Sequence, residues 1–466
     1  MIGIAEKVLK YAEKKVEYAE VRAESSQENS ITLKNGNLEV FESSKNIGFC
    51  IRVLKNGALG LGFSNSLKFS KLKKAVSEAI KMAKSSKRKT KKIQFSEENV
   101  VKDKYEVKQV FDLKNIEPEE KINFLLEVDK TLVLSKFPLL TRVFELLDEV
   151  KEKYYINSEG TKIFSKISRV SLDYLLTVAS NGQIEQRSFQ LGGTGGWEVV
   201  RKWNLRERLF EEAEILTKLL KAKRAPKGKF DVILSPELVG IASHESCGHP
   251  YEADRILGRE AAQAGESFIT KEMLGKRIGS EVVNLVDDPT LKGSYGFYLY
   301  DDEGVKAKRR FLIKNGIINT FLHNRETAFE FGIKSNGAAR AADWCFEPII
   351  RMANTFILPG DYKFDELIDV RNGIYIKSYM EWNIDDKRFN QKYVGLESYL
   401  IKNGEIKSLV KRPVLEIKTP KFYSSIDAVG NDLSFSAGTC GKGDPMQGVP
   451  VWFGGPHIRL KNLRVS

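Results

Sequence analysis

Apolar positions along the chain switch between two periods. Ile4, Val8 and Ala12 recur at the spacing of one helix face, and the segments 16–26, 30–33, 38–43 and 48–54 then read as short strands. Asn35-Gly36 and Asn56-Gly57 mark the hairpin turns, because both residue types tolerate the positive φ that tight turns need. Leu72, Val76, Ala79, Ile80 and Ala83 form the next helical stripe, with Ser70 placed to cap it. A further amphipathic helix follows Pro118, carrying Ile122, Leu125 and Leu126, and a β-rich stretch starts near Lys153 with breaks at Ser158-Glu159-Gly160 and Asn181-Gly182. Gly192, Gly193, Gly195, Gly196 and Trp197 interrupt the pattern as a loop, and they lack the lysine and hydroxyl of a phosphate-binding loop.

Residues 202–222 have the length and charge of a connecting helix, and Ala225-Pro226-Lys227-Gly228 is the best boundary in the chain. The expectation is an α+β protein: an N-terminal α/β domain over 1–225 and a mainly β C-terminal domain over 226–466. That second part opens with a short apolar strand at 230–234, followed by Ser235-Pro236-Glu237, where Ser can cap and Pro suits the first helical position. Glycine-rich turns and short alternating strands continue to the end, with no repeat of solenoid length.

Composition narrows the class. At 466 residues with 42% apolar and 29% charged positions, the chain has the make-up of a folded globular protein rather than a disordered one. Glu6, Lys7 and Lys10 interrupt the opening where a secretory segment needs an apolar run, and no stretch of about 18 apolar residues follows, so a cytoplasmic protein without a membrane segment is expected. Its four cysteines, Cys50, Cys247, Cys345 and Cys440, are too scattered for a disulfide framework and are better read as thiols, one of them a candidate ligand. The net charge of +13 gathers in runs such as SSKRKTKK at 85–92, but no recognition helix, stacking platform or finger accompanies it. That run reads as a solvated linker and argues against a nucleic-acid partner.

The chemistry lies in the new helix. Two of only four histidines fall within six residues, His244-Glu245-Ser246-Cys247-Gly248-His249. Residues five apart on a straight α-helix are about 140° apart around its axis, so two such imidazoles cannot reach one ion. Gly248 lets the helix end or bulge, and Pro250 discourages continuation. A catalytic zinc needs three protein ligands and an open position, and the candidates for the third are Cys247, Glu252, Asp254 and Cys440. Cys247 shares a face with His244; Cys440 stands among small residues beside Lys442, a cation that favours thiolate. Local reasoning leaves this choice open.

Taken in order, several segments resemble the TldD/PmbA metallopeptidases, also called modulators of DNA gyrase, and within them the TldD branch. They are the hairpin at 48–57, Asn157-Ser158-Glu159-Gly160, HESCGHPYEAD at 244–254, Val286-Asp287-Asp288-Pro289, Asp301-Asp302-Glu303-Gly304, Leu312-Ile313-Lys314-Asn315-Gly316, Arg351-Met352-Ala353-Asn354-Thr355, Leu358-Pro359-Gly360 and Cys440-Gly441-Lys442. The resemblance implies a Zn2+ site made of His244, His249 and Cys440, a barrel-like core in the C-terminal domain, and a dimer enclosing the active sites. The dimer is either a homodimer or a heterodimer with a PmbA-like subunit. It also implies a zinc peptidase acting on unfolded or short peptides, with Glu245 as general base. Arg340, Arg351 and Asn354 are candidates for binding substrate. His323 and His457 read as structural, and the acidic residues Asp287, Asp288, Asp301, Asp302 and Glu303 as turn and ion-pair residues. The competing reading is a non-catalytic peptide-binding regulatory subunit with a structural zinc.

Overall fold

The computed structural model describes residues 1–86, 92–260 and 265–466. Residues 87–91 of the basic run therefore lie outside the described residues.

The N-terminal half is a twisted sheet of seven strands, in the order Ala58–Ser64, Asn37–Lys55, Tyr18–Lys34, Leu139–Asn157 and Lys162–Ser180. The outer edge of Lys162–Ser180 is shared: Lys102–Glu106 pairs parallel along its start, and Gln183–Thr194 antiparallel along the rest. Ladder register explains the burial. Ala19 lies opposite Val53, Val21 opposite Ile51 and Ala23 opposite Phe49, so one face of these strands meets the helices Ile2–Ala12 and Phe69–Ser85. Phe144 opposite Tyr174 and Leu146 opposite Leu172 do the same for the helices Pro118–Leu134 and Leu205–Lys221.

Several expected boundaries change. The four short strands at the start are two long ones, Tyr18–Lys34 and Asn37–Lys55, because the polar stretches between them are paired in register. The Asn35-Gly36 and Asn56-Gly57 turns stand where expected, each with both residues at positive φ. Ser70 lies inside the helix that Lys68 precedes, and makes no cap. The β-rich stretch begins at Leu139 rather than near Lys153. Gly192 and Gly193 belong to a strand, not a loop. A Cβ on Gly192 would sit 2.9 Å from the Tyr295 ring, and one on Gly193 2.9 Å from the Gly293 carbonyl, so these glycines permit close docking of the C-terminal half. Ser235 occupies the N-cap position without capping; its hydroxyl donates instead to the Lys377 carbonyl at 2.6 Å.

The C-terminal half is mainly β, and with the first half it gives the α+β fold with curled sheets. One sheet runs Ile317–Ile318, Arg310–Lys314, Leu285–Asp287, Asn354–Ile357, Gln447–Gly455, Ser434–Lys442, and the last of these is an edge strand. Another has Gly228–Leu234 and Asn372–Ile376 at its centre. Pro236–Ser243 is the helix between them: Leu238, Val239 and Ala242 join one core with Val232, Leu234 and Ile374 of one sheet and Ile357, Val451 and Phe453 of the other. Its far end is therefore aimed at the edge strand Ser434–Lys442. No helix among the described residues is long and apolar enough to cross a membrane.

Candidate metal centre

The helix Pro236–Ser243 does not run straight through the motif. It widens at His244–Gly248 into one π turn, in which the His249 N–H donates to the His244 carbonyl five residues back, and then tightens at His249–Tyr251. A turn closed over five residues brings His244 and His249 towards one side, which an α-helical turn cannot do. Gly248 contributes differently from expectation. Its backbone is ordinary right-handed helix, φ −51° and ψ −64°, but a Cβ there would lie 1.8 Å from Met352 Sδ, so the residue is needed for space.

His244, His249 and Cys440 converge, each offering a ligand atom within 4.8 Å of the others, and all three are buried. Cys440 Sγ is 3.4 Å from His249 Nε2, and the two imidazole rings stand 5.0 Å apart at 81°. Of the other candidates for third ligand, Cys247 faces the apolar core with Tyr251 and Tyr423, where burial drives its thiol well up. Glu252 and Asp254 form a supporting layer. Glu252 Oε2 receives His249 Nδ1 at 3.2 Å and Arg255 Nε at 2.7 Å, and lies 3.1 Å from Lys442 Nζ. Burial alone would raise this carboxyl, but Lys442, His249 and Arg255 hold it well below the usual range. An ionised Glu252 keeps the His249 proton on Nδ1 and leaves the Nε2 lone pair turned to Cys440. Lys442 Nζ also donates to both Asp254 oxygens, at 2.8 and 2.7 Å, and to the Ile350 carbonyl at 2.9 Å. It therefore locks the edge strand to the motif rather than activating the thiol. Burial pushes the Cys440 thiol up, and His249, when it carries a proton on Nε2, together with Arg351 draws it down to about 7.

These residues fit a metal. The Nδ1 of His244 is buried with no hydrogen-bond partner among the described residues, and burial lowers both imidazoles, favouring the neutral form that binds metal. Two imidazoles and a thiol of low pKa make a donor set that suits zinc.

A cavity of about 250 Å³ opens on the three, and Glu245, Trp382 and Arg388 share its wall. Glu245 Oε2 accepts from Arg388 Nη1. Nothing in the local pattern announced Arg388, 143 residues away in a polar hairpin. A second cavity of about 350 Å³ shares Thr439 with the first and is bordered by Lys151, Arg169 and Arg340.

Of the residues expected to bind substrate, Arg351 and Asn354 are fully buried. Arg351 donates to the carbonyls of Cys440 and Gln447; Asn354 donates to the Asp288 carbonyl at 2.6 Å. Arg340 donates to the Met352 and Pro450 carbonyls at 2.6 and 2.8 Å, with its side chain on the second cavity. The acidic residues hold turns and ion pairs: Asp301 accepts three backbone N–H groups, and Asp287 pairs with Arg310. His323 and His457 lie outside the cluster.

A buried imidazole pair and thiol stand at one wall of a cavity, with a carboxylate beside them, and could hold a metal ion there. The chain belongs to the PmbA/TldD metallopeptidase family: residues 19–83 match the PmbA/TldA metallopeptidase domain 1, 111–225 its central domain and 227–466 its C-terminal domain. It is 34% identical to a metalloprotease of Methanocaldococcus jannaschii over 93% of each chain. It is 30% identical to a zinc metalloprotease TldD homolog of Saccharolobus solfataricus over 76% of this chain and 77% of that one. The fold is also that of TldE from Thermococcus kodakarensis, with a TM-score of 0.77 at 18% identity, covering 99% of this chain and 100% of that one.

Proposed function

We propose that this chain is a zinc peptidase in which His244, His249 and Cys440 hold the metal and Glu245 is the general base. The observation that carries the reading is the meeting of those three ligand atoms beside Glu245 on one cavity. Zinc would supply Lewis acidity to the attacking water and to the scissile carbonyl. Glu245 Oε2 is held by Arg388, so Oε1 takes the water proton as the water oxygen bonds to the carbonyl carbon. The same carboxyl then gives that proton to the departing amine nitrogen as the C–N bond breaks. Glu252 and Lys442 keep His249 and the Cys440 strand in place, and Arg351 braces that strand from behind.

A cavity of about 250 Å³ admits an extended chain and not a folded surface, which favours unfolded or short peptides as substrates. We assign 1–225 and 226–466 to two domains, on the support of a first sheet built wholly before residue 195 and of family matches that change between 225 and 227. Membership of the PmbA/TldD family favours a dimer with a second chain of this family, alike or PmbA-like. A regulatory subunit with a structural zinc has no use for Glu245 on the open side of the cluster.

The test is metal analysis of the purified protein joined to digestion of an unstructured peptide with and without a chelator. About one zinc per chain and loss of cleavage on chelation are expected, and metal-free protein digesting at full rate would sink the reading. Glu245→Gln should keep the zinc and lose about 10²- to 10⁴-fold in kcat, the range a positioned acid–base group supplies.

A further inference from the structure

The ion partner of Glu245 sits in an unusual turn. Arg388 lies between the strands Tyr379–Ile384 and Asn390–Gly395, with its backbone in the left-handed region at φ +63°. A side-chain-bearing residue adopts that conformation only where its surroundings impose it. Here they do so from several sides. Asp385 accepts the Phe389 and Asn390 N–H groups at 2.7 and 3.1 Å, and its carbonyl accepts the Arg388 N–H at 2.9 Å. The Thr419 hydroxyl donates to the Arg388 carbonyl at 2.8 Å, and the Phe268 N–H to that of Lys387 at 2.9 Å. The turn is thus tied to two other segments, and its product is an arginine directed into the cavity of the three ligands, with its side chain 13% exposed.

The guanidinium is only partly engaged. Nη1 donates to Glu245, while the buried Nε–H finds no acceptor among the described residues. A guanidinium on the wall of a cavity, with donors left over after its ion pair, can serve an acceptor that arrives there. During peptide hydrolysis the acceptor that appears there is the carbonyl oxygen, which gains negative charge as water adds.

We propose that Arg388 is a catalytic residue: while Nη1 holds Glu245, the remaining N–H donors of its guanidinium serve the carbonyl oxygen of the scissile peptide and stabilise the charge that gathers on it. This rests on the peptidase reading above. As the water oxygen bonds to the carbonyl carbon, the π pair of the C=O bond moves onto the oxygen and the water proton goes to Glu245. On collapse the pair returns, the C–N bond breaks, and the nitrogen takes the proton from Glu245. Arg388 transfers no proton in these steps, so its part is a fixed donor placed before the charge forms.

The experiment compares Arg388→Ala and Arg388→Lys with the unaltered protein in zinc content, in kcat and KM on an unstructured peptide, and in affinity for a phosphinic peptide. The phosphinic oxygen imitates the charged carbonyl oxygen. Expected are unchanged zinc, kcat down about 10²- to 10³-fold with KM within about threefold, and phosphinic affinity lost by a similar factor. Guanidinium ion added to Arg388→Ala should restore part of the rate. Zinc retained with the original kcat overturns the proposal, as does a change confined to KM, which would make Arg388 a simple substrate anchor. If Arg388→Ala loses its zinc, Arg388→Lys decides on the same criteria. Loss of zinc from both variants assigns Arg388 to the support of the metal site and also overturns the proposal. Failure of the underlying reading looks different, because the unaltered protein then cleaves without metal.

Discussion

The five-residue spacing of the two histidines works because the widened turn is packed against Met352, and that dependence can be measured. In Gly248→Ala the new methyl would start 1.8 Å from Met352 Sδ, in a place where Met352 is fully buried and cannot swing into solvent. Overpacking of this kind costs about 1–3 kcal/mol. The backbone at 248 is right-handed helix, so alanine also gains up to about 1 kcal/mol of helix propensity, which makes the steric part larger than the net loss. Met352→Ala alone leaves a cavity and costs about 2–5 kcal/mol. Combining the two puts the new methyl into the space vacated, so the pair should be less destabilising than the sum of the singles by about 1–3 kcal/mol. Urea unfolding of the four proteins gives the coupling, and metal analysis gives the functional half: Gly248→Ala should lose zinc and the double variant should regain much of it. Additivity within about 0.5 kcal/mol would refute the reasoning, since it would mean that Gly248 is there for its backbone and not for its lack of a side chain.

Cys440→Ala should lose zinc and activity together, whereas Cys247→Ala should keep both; the reverse pattern in metal analysis would return the third ligand to Cys247. Lys442→Met leaves Glu252 and Asp254 buried beside an apolar side chain, so a loss of about 3–5 kcal/mol in urea unfolding is expected, together with zinc affinity weakened about 10- to 100-fold in a chelator competition. His323 supplies a pH test away from the metal. Burial holds its imidazole down to about 3 from 6.5, so the unfolded chain takes up the proton first as the medium is acidified. Its contribution is complete above 6.5 and is lost as pH falls towards 3, a loss on the order of 3 kcal/mol by pH 4.5. His323→Gln should be slightly less stable at pH 7 but flatter between pH 7 and 4.5, and equal slopes for the two proteins would dismiss the idea.

What could be read from the chain, and what could not, follows the range of the forces involved. The turns at Asn35-Gly36, Asn56-Gly57 and Asn181-Gly182 were legible because positive φ is a local demand that these residue types meet locally. The lengths of Tyr18–Lys34 and Asn37–Lys55 were not, since the stretches around Ser25–Asn29 and Ser43–Asn46 have no apolar alternation and are held as strand by ladders to their neighbours. The metal cluster lies between these cases. His244 and His249 declared themselves by spacing, and the spacing itself required a departure from the α-helix, which appears as a π turn with Gly248 selected by Met352 from over a hundred residues away. Cys440 could not be preferred to Cys247 on local grounds, because the difference lies in what each thiol faces: the apolar core for one, His249 and Arg351 for the other. Arg388 carries no sequence signal at all. In Asp385-Asp386-Lys387-Arg388 it reads as one more charge on a solvated hairpin, and only the hold of Asp385 and Thr419 on its backbone turns it inward to Glu245. Ligands must match the chemistry of a metal and so recur as residue types at set spacings, whereas a group that aims a carboxylate need only arrive with the right charge, from any part of the chain the fold can bring there.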